Sequence, residues 1–130
     1  MGLDYGRARI GVALSDEGGS IALPLTALDA RRELKVKLSE LVSSHGVERV
    51  VIGWPLDRNG QPGPMGIEVR EFSERLNRWF GLECVLWDER FTSAQAAGAA
   101  RKSGSRENKS KNDMAAATII LQSYLDSINR

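Results

Sequence analysis

Hydrophobic and polar positions alternate over the first quarter of the chain, then recur at helical spacing broken by short β-branched runs. Residues 1 to 5 read as a first strand, and Tyr5-Gly6-Arg7-Ala8 as a hairpin turn. Arg9 to Ser15 forms a second strand with Ile10, Val12 and Leu14 on one face. After a turn at Asp16 to Ser20, Ile21 to Thr26 is a third strand, and Pro24 assigns it to an edge or a strand end. Leu34, Leu38, Leu41, Val42 and His45 then share one face of a helix that stops at Gly46. Val47 to Ile52 is a fourth strand, followed by a Gly/Pro-rich loop from Asp57 to Pro64. Met65, Val69, Phe72, Leu76, Trp79 and Phe80 keep helical spacing up to Gly81, and Leu82 to Trp87 is a fifth strand. Thr92-Ser93-Ala94-Gln95 has capping-box spacing and predicts a helix ending near Arg101. A last helix is predicted over 112–127. A meander followed by helix, strand, helix, strand, helix implies an α/β fold: a five-stranded mixed sheet with helices on both faces.

At 130 residues the chain is expected to be one domain, 1–130, large enough to bury a core. Its formal charge of +1 excludes a uniformly basic polyanion binder. The distribution changes that picture: five cations against Glu107 give residues 101–111 a balance of +4, leaving −3 elsewhere. Arg101, Lys102, Arg106, Lys109 and Lys111 are those cations, read as a flexible segment able to clamp phosphates or as a solvated surface loop. A lone cysteine, Cys84, excludes an intrachain disulfide and suits a reducing compartment. No apolar run reaches membrane-spanning length, so a soluble, cytoplasmic protein without membrane partners is expected. The first strand is short enough to be compatible with a native start upstream of Met1.

The candidate chemistry lies in acids placed where elements end or begin: Asp4, the Asp88-Glu89 pair and Asp113. Ionised acids clustered beside a core are costly unless neutralised, and a hard, oxygen-seeking ion such as Mg²⁺ is the natural partner. Each acid also has a plainer reading. Asp4 could stabilise a turn, Asp88-Glu89-Arg90 could be a solvated ion-paired turn, and Asp113 could complement a helix dipole. The phase of Asp113 argues against the last, because it shares a helical sector with Ala117, Ile120 and Tyr124. Adjacent residues on an extended chain face opposite ways, so one of Asp88 and Glu89 is expected to be a direct ligand.

Taken together, these segments resemble the YqgF (RuvX) family of RNase H-like nucleases. The resemblance runs through Gly2-Leu3-Asp4-Tyr5-Gly6, Arg9 to Ala13, Ser15-Asp16, Pro24-Leu25, Val51 to Leu56, Asn59-Gly60, Gly63-Pro64, Asp88 to Ser93, Asp113 with Ala115-Ala116, and Ile120 to Leu125. It implies an RNase H-like fold and a divalent-metal-dependent nuclease acting in 5′-end processing of the small-subunit ribosomal RNA precursor. The alternatives are a Holliday junction resolvase and a non-catalytic RNA-binding assembly factor. By position, Asp4, Asp88, Glu89 and Asp113 would be the catalytic, metal-binding acids, with two Mg²⁺ or Mn²⁺ ions. Arg7 and Arg9 would lie near the scissile phosphate. Trp54, where a smaller aliphatic residue is usual, would stack on a base or pack at the rim, and Arg90 would join the nucleic-acid surface. Precursor rRNA is the expected partner ahead of branched DNA, with ribosome association and a monomer or homodimer state. A sugar-kinase or actin-type ATPase shares the Asp-x-Gly hairpin but needs two lobes, and this chain supplies one.

Overall fold

In the computed structural model residues 1–92 and 105–129 are described. The elements are β1 (Gly2–Asp4), β2 (Arg9–Ser15), β3 (Ala22–Asp29), α1 (Leu34–His45), β4 (Arg49–Trp54), α2 (Pro64–Phe80), β5 (Glu83–Asp88), a 3₁₀ turn (Glu89–Phe91) and α3 (Arg106–Ile128). The sheet runs β3-β2-β1-β4-β5. Its first three strands form the antiparallel meander, and β4 and β5 are parallel to β1.

One face of the sheet is covered by α1 and α2. Leu3, Ile10, Val12, Val50 and Ile52 point into this layer and meet Leu38, Val69, Phe72 and Leu76. The other face is covered by α3, through Ala116, Ala117, Ile120, Leu121, Tyr124 and Leu125 against Ala13, Ala22 and Val51. Val50, Val51 and Ile52 are all buried because β4 is covered on both sides, which explains why its sequence is continuously apolar. Gly46 and Gly81 end α1 and α2 in the left-handed conformation, at φ 59° and 65°.

Two expectations need correction. The third strand continues to Asp29: the register shifts where Val12 and Ala13 pair with Thr26 and Pro24, leaving Leu25 as the extra residue of a bulge on β3 itself, and Pro24 does lie on an edge strand. The last helix begins at Arg106, six residues before the expected start, so Arg106, Lys109 and Lys111 lie on its first two turns and not in a loop. Ser105 caps it, accepting from the Asn108 amide at 3.2 Å, and Glu107 pairs with Lys111 at 3.5 Å one turn on. The polar composition of this segment hid a helix held by its cap and by the packing of its later turns. The capping-box helix expected after Thr92, with Arg101 and Lys102, lies outside the described residues.

Candidate active site

Strand alternation decides where each acid points. Leu3 enters the α1/α2 layer, so Gly2 and Asp4 face α3, and Asp4 is only 5% exposed. Its neighbour across β2 is Gly11, which faces the same side. A Cβ on Gly11 would overlap the backbone carbonyl of Asp113 and stand 3.1 Å from the Asp113 Cβ. The β1–β4 ladder is paired as far as Leu3 and Ile52, and Gly53 follows Ile52 on β4 as Asp4 follows Leu3 on β1. There a Cβ would collide with the Glu89 carboxylate and lie 2.5 Å from Ile120 Cδ1. Both sheet neighbours of Asp4 are therefore bare, and the chain carrying each of the other two acids occupies the space this leaves.

Asp113 is 2% exposed and accepts from Arg9 Nε at 2.7 Å. It sits two turns into α3, so the reading as a first-turn acid complementing the dipole does not apply, whereas its predicted apolar phase holds. Glu89 is 8% exposed, and burial, reinforced by the charge of Asp88, raises its carboxyl to about 7. Asp88 behaves oppositely. It pairs with Trp54 across the sheet, on the side of α2 and away from Asp4. Its carboxylate binds Arg90 Nη2 at 2.7 Å and accepts from the Arg90 amide at 2.9 Å, and these bonds lower its pKa.

The basic candidates separate as well. Arg9 reaches the acids, but Arg7 turns to α2 and binds Glu68 with Nε at 2.8 Å. Arg90 is held by Asp88 beside the Asp57 carbonyl. Trp54 ends β4, rests against the α1/α2 layer and donates its indole N–H to the Gly66 carbonyl at 2.9 Å. His45 is exposed at the C-terminal end of α1, in keeping with a helix-end role and not with a core one. Gly11 and Gly53 escaped the sequence reading as site residues. The signal was present, since each glycine interrupts an otherwise apolar strand.

Three carboxylates of hard oxygen donors on one sheet face match the ligand chemistry of Mg²⁺ or Mn²⁺. As they stand, no three such side chains among the described residues are grouped closely enough to hold an ion. The Arg9 guanidinium supplies positive charge at Asp113 instead.

The elevated Glu89 carboxyl has a consequence for the metal-free protein. Its ordinary value is 4.5, so the folded state favours the protonated form and this group's stabilisation is complete below that pH. It is lost as pH rises through about 7, in total on the order of 3 kcal/mol. In chelator, Glu89→Gln should therefore gain stability relative to wild type between pH 5 and pH 8, read from denaturation midpoints. Parallel pH profiles for the two proteins would contradict this.

A three-stranded meander continued by two strands parallel to β1, with helices on both faces, defines the RNase H-like fold. Relatives extend this along the whole chain. A protein of Desulforudis audaxviator is 41% identical over 98% of this chain and 93% of its own length. One of Caldanaerobacter subterraneus subsp. tengcongensis is 43% identical over 98% and 95%, and one of Bacillus cytotoxicus 37% over 98% and 97%. Each of the three bears the name "Putative pre-16S rRNA nuclease". Residues 1–127 match the RuvX family, described as Holliday junction resolvase, and the chain belongs to that family. It is a nuclease family, whose chemistry is hydrolysis of phosphodiester bonds in nucleic acid.

Proposed function

We propose that this protein is a divalent-metal-dependent nuclease in which Asp4, Glu89 and Asp113 hold the ion or ions, and that it acts in 5′-end processing of precursor 16S rRNA. The observation that carries the metal site is the bare position on either side of Asp4, through which Asp113 and Glu89 approach from distant parts of the chain. The names of the relatives support the RNA substrate. The family description favours branched DNA as the second reading.

The bound ion would polarise the phosphate and lower the pKa of an attacking water. The protein's own contribution is positional. Asp4 is fixed by the central strand, Asp113 by the close contact of α3 with Gly11, and Glu89 by the turn that follows β5. Arg9 balances the charge of Asp113 and would stand beside a phosphate held at these acids. Asp88 is assigned a different task. By capping the 3₁₀ turn and holding Arg90 it aims the neighbouring Glu89 inward.

The test compares Glu89→Gln with Asp88→Asn in cleavage of a precursor rRNA 5′ segment and of a four-way DNA junction, with Mg²⁺ or Mn²⁺. Glu89→Gln should lose on the order of 10³-fold in kcat/KM, the equivalent of about 4 kcal/mol of lost transition-state stabilisation. Asp88→Asn should lose roughly tenfold, as expected for a group that orients a ligand. The reverse ranking would overturn the assignment, and selective cleavage of the junction would replace the rRNA reading by the second.

A further inference from the structure

Beside the acids lies a second feature, of which the cleavage chemistry uses only Arg9. A cleft of about 440 Å³ is lined by Ala8 and Arg9, the end of β3, Arg31 and Arg32 of the β3–α1 corner, and Arg106, Lys109 and Ser110 of α3. Five cations surround a single acid, Asp29. That acid fixes the corner, accepting from the Arg31 amide at 2.8 Å and from Arg31 Nε at 3.4 Å. Arg9 is engaged by Asp113, and among the described residues Arg32, Arg106 and Lys109 form no salt bridge.

Such a cluster opposes folding. Like charges repel across the cleft, and Arg106 and Lys109 stand in the first turns of α3, where the helix dipole disfavours cations. Glu33, next to the two arginines, adopts φ 51° and is the described non-glycine residue with positive φ. An arrangement that lowers stability in both ways is accounted for by an anionic occupant.

The position of the cleft indicates which anion. Arg106, Lys109 and Asp113 follow one another at i, i+3 and i+7, so the cleft cations and the buried acid lie on one stripe of α3. From Lys109 to Asp113 the helix rises about 6 Å, the order of the spacing between neighbouring phosphates along a strand. Arg9 lines the cleft and touches the acid. The volume is that of a nucleotide-sized site.

Resting on the nuclease reading above, we infer that this cleft binds the sugar-phosphate backbone of a single nucleic-acid strand one or two phosphates from the bond cleaved. Arg31 and Arg32 on one wall and Arg106 and Lys109 on the other grip that backbone. The strand therefore leaves the acidic site past β2 toward the β3 edge, on the opposite side from Arg7 and α2.

The experiment measures binding in chelator, where no cleavage occurs, by fluorescence anisotropy with short single-stranded RNA and DNA oligonucleotides across a salt series. Wild type is compared with the double variant Arg32→Gln/Arg106→Gln and with Arg78→Gln, an exposed arginine on α2 away from the cleft. The double variant should bind roughly tenfold more weakly, and its log K against log salt slope should be shallower by about 1.4, corresponding to about 0.7 per lost phosphate contact. Arg78→Gln should match wild type. The double variant should melt at or above wild type, since two mutually repelling cations are neutralised, and Arg78→Gln should melt with wild type, its side chain being exposed. The RNA and DNA arms establish whether the cleft distinguishes the two backbones. Equal binding and equal slopes for the double variant and wild type would overturn the inference, as would absence of binding by wild type. Cleft-dependent binding with no cleavage under any divalent ion would instead remove the nuclease reading and leave the cleft standing.

Discussion

Asp4→Asn should abolish cleavage while leaving the protein folded. The side chain keeps its shape, its burial and one carbonyl oxygen, but loses the charge that a hard cation requires. A metal ion in such a site supplies several kcal/mol of charge stabilisation to the transition state, so the expected loss is on the order of 10³-fold or more in kcat/KM. The protein should still fold in the absence of metal, because the amide keeps the size and burial of the carboxylate. A cooperative melt, combined with lost cleavage, separates a chemical role from a structural one. Retained cleavage would refute the site, since no other acid enters from β1.

Gly11→Ala is the second large effect, and it acts through geometry alone. The added methyl would overlap the Asp113 carbonyl, a backbone atom that can yield only if α3 moves off the sheet. Overpacking of this kind costs about 2–3 kcal/mol, or about 10 °C in melting temperature for a domain of this size. The displacement carries Asp113 away from Asp4, so cleavage should fall further than stability does when assayed well below the melting point. Gly53→Ala provides the contrast. Its methyl meets the ends of the Glu89 and Ile120 side chains, which can rotate, so stability should fall less while the Glu89 carboxylate is still displaced. Thermal melts and cleavage assays on the two variants together check both statements. An unchanged melting temperature for Gly11→Ala would show that α3 does not rest on this position.

Much of the architecture was legible because local pattern and tertiary role agreed. The order of five strands, the stops at Gly46 and Gly81 and the edge position of Pro24 follow from period, punctuation and the missing proline N–H. The inward phase of Asp113 was legible for the same reason, since its neighbours at i+4 and i+7 are apolar. The start of α3 was not. Arg106 to Lys111 carry no apolar stripe, and only the Ser105 cap and the helix that follows hold them in place.

The adjacent pair Asp88-Glu89 marks the boundary most clearly. Their order along the chain shows that they face opposite ways, but not which one faces Asp4, because that depends on the pairing of β5 with β4 and on which side α3 covers. The partition of Arg7 and Arg9 between Glu68 and Asp113 likewise depends on which helix lies on each side of the β1–β2 hairpin. By itself the sequence determined the strands, their order and the acids Asp4 and Asp88 at strand ends, because these are properties of neighbouring residues. Only the tertiary structure decided that the Glu89 carboxylate lies against Gly53, that two glycines make room for the acid-bearing segments, and that Arg31 and Arg32 face α3 across a cleft. Each of these joins residues distant in the chain, and no local periodicity carries that information.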